Sequence, residues 1–136
     1  MSAEGELIDR FEADAYADHL NMALVEVRPG FARAEMEAAD EFAGFQGFLH
    51  AGALLSLAEY AFAAASNAHG GSAVPLTLSC TFVGLVRPGG RLVAEAVEEK
   101  LGRRTGLYTL RVTLEDGTLL ASGQGVAYRQ ESPSGG

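Results

Sequence analysis

The chain has little cysteine, few basic residues and no long uninterrupted apolar run. Cys80 is the only cysteine among 136 residues. No disulfide can close within the chain and no cysteine-based metal site can form, which suits a reducing compartment such as the cytoplasm. Lysine and arginine total 10 against 18 aspartates and glutamates, for a formal net charge of -8. Phosphate backbones are held by basic stripes, so nucleic acid is not an expected partner. A local basic cluster could still hold a small phosphorylated ligand. The opening residues, Met1-Ser2-Ala3-Glu4-Gly5-Glu6, are acidic and polar, unlike a secretory leader. The most apolar stretch, residues 48–65, carries His50 and Glu59 and is rich in alanine. It reads as a buried helix, and no membrane association is expected.

Apolar residues make up 48% of the chain, enough for a packed core, and the length fits one domain. No internal repeat or linker interrupts it. We expect one domain over residues 1–129 and a disordered tail over 130–136. Residues 6–18 fit a short polar helix. Residues 22–28 and 31–38 fit a hairpin about Pro29-Gly30, the second strand alternating Ala32, Ala34, Met36 and Ala38 with Arg33, Glu35 and Glu37. Residues 39–49 read as an ordered loop. Residues 51–68 then form the one long helix: Leu54, Leu57, Ala58, Ala61, Phe62 and Ala65 keep helical spacing, and the opposite face has only Ser56, Tyr60 and Ala63. A helix so apolar all round is buried on most sides. Gly70-Gly71 stops it. Four strand-like runs follow, 76–86, 91–99, 106–115 and 118–129, divided by Pro88-Gly89-Gly90, Gly102 and Asp116-Gly117. One long helix and a meander of antiparallel strands give an α+β fold in which the sheet must wrap the helix.

Glu59 is the only charged residue between His50 and His69. A carboxylate on a buried helix is costly unless paired or neutralised. A structural ion pair would explain it; so would a carboxylate kept in an apolar cleft for acid, base or nucleophilic work. His50 stands one residue before the helix, as a cap or packed side chain would. Ala51-Gly52-Ala53 beside it leave helix N-terminal amides open to a ligand, where developing negative charge is favoured. Nine residues separate His50 from Glu59, roughly 13 Å of helical rise. They can share a site only if a second subunit lays its helix alongside, antiparallel, which implies a dimer.

The run His50-Ala51-Gly52-Ala53-Leu54-Leu55-Ser56-Leu57-Ala58-Glu59-Tyr60-Ala61-Phe62, continuing to Asn67, resembles the helix signature of the hotdog-fold acyl-CoA thioesterases of the phenylacetate-pathway (PaaI-like) type. That family shows His-Gly-Gly, then Leu-Ala-Asp or Leu-Ala-Glu, then small residues, and the His-to-acid spacing matches without a gap. Residues 14–22, Arg87-Pro88-Gly89, Gly102-Arg103-Arg104-Thr105-Gly106 and Gly123 resemble its flanking features, so the likeness covers roughly residues 12–129. The resemblance implies a long central helix wrapped by a curved antiparallel sheet, and dimers that pair into tetramers. It implies Glu59 as the acid that attacks the thioester carbonyl or activates a water, the Ala51 amide of a neighbouring subunit as the oxyanion donor, and His50 as support for that loop. Gly52 would lie against the substrate, and Arg87, Arg103 and Arg104 would hold CoA phosphates. Thr77, or less directly Ser79, would supply a strand hydroxyl that assists the acid, though both also read as ordinary strand residues. No metal or separate cofactor is implied, since CoA is part of the substrate.

Three positions depart from the family pattern. Gly44 stands six residues before the His, where Asn or Gln is usual, and Gln46 is two residues off that register. Ala51 replaces the usual Gly. The acid is Glu where Asp is commoner. An acyl-CoA thioesterase is the first expectation, and a non-catalytic acyl-CoA or small-molecule binder the second. A hotdog hydratase or dehydratase comes third, because the hydratase Asp-x-Asn-x-x-His pattern is missing and the acid lies at thioesterase spacing. Phe45, Phe48, Leu55 and Phe62 suggest an apolar pocket for a small aromatic or medium-chain acyl group.

Overall fold

A computed structural model describes residues 2–130. In chain order it comprises α1 (Ala3–Glu12), α2 (Ala15–Leu20), β1 (Ala23–Arg28), β2 (Phe31–Glu37), a 3-10 turn (Asp40–Phe42), α3 (Ala51–Asn67), β3 (Ser72–Phe82), β4 (Arg91–Leu101), β5 (Thr105–Leu114) and β6 (Leu119–Gln130). The strands form one sheet in the order β1-β2-β4-β5-β6-β3, antiparallel at every pairing. The sheet curves around α3, which touches all six strands. This is the hotdog arrangement.

Alternation along β2 builds the inner face. Ala32, Ala34 and Met36 are fully buried, opposite Ala96, Ala94 and Leu92 of β4. Alanines on both strands let the alanine-rich helix approach closely, and Leu57, Ala58, Ala61 and Phe62 fill the space between. The outward residues pair in water: Arg33 bridges Glu95 (2.7 Å) and Glu26 (3.1 Å), and Arg91 meets Glu35 (3.2 Å). Such exposed pairs add little stability.

Both ends of α3 are tied down. At its start His50 is the N-cap. At its end Gly30, at φ 81°, donates its N–H to the Ala65 carbonyl (3.1 Å), so the β1–β2 turn satisfies a terminal carbonyl. Asn67 donates to the Ala63 and Ala73 carbonyls and accepts the Ala73 N–H, clamping the helix to the start of β3.

Some expectations are corrected. The single N-terminal helix is two, because Asp14 leaves helical geometry and accepts the Ala17 N–H at 2.9 Å as N-cap of α2. Burial on most sides of α3 holds at Tyr60, which is 3% exposed and donates its hydroxyl to the Phe11 carbonyl of α1. β3 starts at Ser72 rather than 76 and carries Pro75 at a bulge, a position an edge strand tolerates. β6 runs through Gln130, which pairs with Ser72, so the end of the folded part lies past 129; residues 131–136 lie outside the described residues.

Gly123 of β6 has no room for a side chain. A Cβ there would stand 1.8 Å from the Ser79 carbonyl oxygen, a backbone atom that cannot swing aside. Gly123→Ala is therefore expected to destabilise the protein by about 1–3 kcal/mol or more, as overpacking does, read as a lowered urea midpoint.

Candidate active site

Around the start of α3 the chain makes a compact loop. Gly44 donates its N–H to the Phe48 carbonyl (2.7 Å), Leu49 donates to Val86, and His50 donates to Phe42 (both 2.8 Å). Gly47 takes φ 87° to close the turn. His50 then caps the helix, its Nδ1 accepting the Gly52 N–H at 2.9 Å. That bond needs Nδ1 unprotonated, which puts the ring proton on Nε2. It also divides the amides: Gly52 spends its N–H on His50, whereas the Ala51 N–H has no acceptor among the described residues. Of these two amides, the free one is the one the resemblance assigned to the oxyanion. The Gly52 side of the expectation is narrower, since its N–H cannot also bind substrate.

A groove of about 280 Å³ runs past this amide, lined by Gly44, Phe45, Gln46, Phe48, His50 and Ala51 among others. Gln46 thus shares a groove with Ala51. Gly44 is not forced to be glycine, since a Cβ there would find only ordinary contacts at 3.7 and 3.8 Å. Arg87 lies at the same end, its guanidinium 4.7 Å over the Phe48 ring.

Glu59 sits two turns along α3 on the stripe Gly52, Leu55, Ser56, Glu59 and Ala63, none of which the sheet, α1 or α2 fully covers. It makes no hydrogen bond or ion pair with a described residue. Burial, and secondarily the Asp14 carboxylate at the start of α2, raise its pKa above the ordinary carboxylate value. The reading of Glu59 as half of a structural ion pair therefore has no partner among the described residues.

The remaining expected residues are dispersed. Leu78 and Cys80 pack on the core, so strand alternation aims Thr77 and Ser79 to the other face, and both are exposed. Within one protomer Thr77 does not face α3 and cannot assist Glu59. Arg103 and Arg104 form the β4–β5 turn, where Arg104 donates to Tyr128 (3.4 Å) and the Arg104 carbonyl accepts the Arg129 N–H. This turn adjoins the β3–β6 end that follows the C-terminus of α3, opposite His50. Phe62 is not a pocket residue: it is 1% exposed and packs edge-on against Tyr108, with ring centroids 5.4 Å apart. Phe45 is fully exposed.

Residues 46–121 match the family model of the thioesterase superfamily. The chain belongs to that superfamily. An esterase-named protein of Archaeoglobus fulgidus is 34% identical over 119 residues, spanning 88% of this chain and 77% of the relative. The acyl-coenzyme A thioesterase PaaI of Escherichia coli is 29% identical over 119 residues, 88% of this chain and 85% of that protein. The structure of the E. coli PaaI protein from the phenylacetic acid degradation operon superposes with a TM-score of 0.89 at 27% identity, covering 96% of this chain and 98% of that one. The protein is a PaaI-like hotdog thioesterase.

Two features of this site escaped the sequence reading. Asp14 acts on Glu59 from a helix break hidden in a polar stretch, although Asp at a helix start is a recognisable cap signal. The Tyr16 hydroxyl meets Ser56 at 2.8 Å across forty residues, which no local pattern reports.

Because burial disfavours charged Glu59, the folded protein binds this proton more tightly than the unfolded chain. Stability from this source is present at acid pH and is lost as pH rises from the ordinary carboxylate value through the raised folded one. Glu59→Gln has no charge to desolvate. Its melting temperature should match wild type at acid pH and exceed it at neutral pH; thermal unfolding at both pH values checks this.

Proposed function

We propose that this thioester hydrolase acts on acyl-CoA carrying a small aromatic or medium-chain acyl group, at sites shared between two subunits. The observation that carries the proposal is Glu59, a half-buried carboxylate on the open stripe of an apolar helix, without a partner among the described residues. A purely structural acid would have found a cation.

The chemistry follows from the groups present. The Glu59 carboxylate takes a proton from water as the water oxygen bonds to the thioester carbonyl carbon. The carbonyl oxygen gains negative charge and accepts the Ala51 N–H of the neighbouring subunit, at a helix N-terminus that favours it. Collapse breaks the C–S bond, and the CoA sulfur takes the proton from Glu59. Free acid and CoA thiol leave, and Glu59 is again a carboxylate.

The two-subunit arrangement is supported by the eight-position step from Ala51 to Glu59, roughly 12 Å of rise, too far for one thioester to touch both in one chain. It is supported also by β3, an edge strand with Leu76 57% and nearby Val83 58% and Leu85 77% exposed. Unpaired edges and apolar patches of this kind are covered in stable assemblies. We take the protein to be a homodimer or a dimer of dimers. In such an assembly Arg87 at one helix end and Arg103 and Arg104 at the other can flank one site and hold CoA phosphates. The lone thiol of Cys80 supports a cytoplasmic setting. No helix among the described residues is long and apolar enough to cross a membrane.

Gly44 favours a second reading, binding without turnover, because the usual side-chain amide is missing there. Thiol release from a panel of acyl-CoAs separates the two. Glu59→Gln should fold, bind its best thioester and lose at least ~100-fold in hydrolysis, the size of one acid–base group. Near-wild-type hydrolysis by this variant removes Glu59 as the catalytic residue, and binding of every thioester without thiol release by wild type favours the second reading.

A further inference from the structure

Serines within helices commonly return their hydroxyl to a carbonyl one turn back. Ser66 does so, donating to Phe62 at 2.8 Å and to Ala63 at 3.2 Å. Ser56, on the same helix, does not. Its Oγ lies 2.8 Å from the Tyr16 hydroxyl, and it has no other partner among the described residues. A phenol is a stronger acid than an alkyl alcohol, so Tyr16 is the natural donor and Ser56 the acceptor. The Ser56 hydrogen is then left unspent.

Tyr16, its side chain exposed, is carried on a helix fixed at both ends. Asp14 caps α2 through the Ala17 N–H, and Asn21, at φ 56°, closes its other end by donating to the Ala17 and Asp18 carbonyls. Tyr16, Leu20, Phe42, Leu55 and Ser56 line a groove of about 430 Å³ that reaches His50 and Gly52. Ser56 therefore opens on the free space beside the helix start. Glu59 is three residues farther on, on the same helix face, with Cβ atoms roughly 5–6 Å apart by helix geometry. One water spans that separation. The Glu59 carboxylate has no donor of its own among the described residues.

We propose that Ser56, its hydroxyl oriented by Tyr16, is a positioning residue for the water that Glu59 deprotonates. This rests on Glu59 being the general base. The water donates one hydrogen to Glu59 and accepts the Ser56 hydrogen on one lone pair. Its second lone pair faces the thioester carbon. Ser56 gains and loses no proton in the reaction.

The test is steady-state thiol release from the best acyl-CoA by Ser56→Ala, Ser56→Thr, Tyr16→Phe and the Tyr16→Phe/Ser56→Ala double variant. Alanine is favoured in a helix and Phe keeps the ring, so all should fold. Loss of one such hydrogen bond is expected to lower kcat roughly tenfold in Ser56→Ala with KM little changed. Ser56→Thr should restore most of the rate. Tyr16→Phe should lose part of it, and the double variant should be no slower than Ser56→Ala, because both act through one hydroxyl. Wild-type kcat in Ser56→Ala while Glu59→Gln is inactive overturns this inference and leaves the function intact; so does a lowered melting temperature with kcat unmoved, which makes the contact structural only. Full activity in Glu59→Gln overturns the function, and this inference with it.

Discussion

The structure depends on covering one helix that has almost no polar face. α3 buries Leu54, Leu57, Ala58, Ala61, Phe62, Ala64 and Ala65 against the sheet and α1, each no more than 3% exposed. An apolar cylinder of this kind must be wrapped, and a six-stranded sheet with alanines on its inner face can curl closely enough to do so. The wrap is incomplete along one stripe, from Gly52 through Leu55, Ser56 and Glu59 to Ala63. No other described residue covers it, and on our reading a second subunit completes it. On that reading, incomplete cover by one chain creates both the assembly and the site.

The same packing sets the electrostatics. Burial makes charged Glu59 costly, and Asp14 adds a like charge nearby. A carboxylate so placed is a stronger base than one in water, which serves proton abstraction. At the other reacting pole the His50 side chain takes up the Gly52 N–H and leaves that of Ala51 open. A histidine that serves as an ordinary cap therefore also decides which of these two amides stays open. The cap and the functional readings of His50 are compatible.

Much of this was legible in the sequence, for definable reasons. Helical spacing of apolar residues located α3, and period-two alternation located β2, because each period is fixed by backbone geometry. The lone acid at position 59 stood out because its neighbours are apolar. What the sequence hid depends on distant contacts. Phe62 looked like a pocket residue and is core, accommodated because Gly125 has no Cβ to meet its ring. Thr77 was placed by the family pattern near the acid, but strand alternation turns it away. The Tyr16–Ser56 contact joins α2 to α3 across forty residues.

The central claim is that each site takes Glu59 from one subunit and the Ala51 amide from another, and subunit mixing tests it most directly. Ala51→Pro removes only that N–H: proline is favoured at the first helical position, and His50, at φ -64° and ψ 135°, already has the backbone a residue before proline needs. Ala51→Pro and Glu59→Gln should each be inactive alone. Co-refolded in equal amounts, half the dimers are mixed and carry one intact site of two, so about a quarter of wild-type activity should return. No recovery from folded mixed dimers, with both parents inactive, would contradict the shared site.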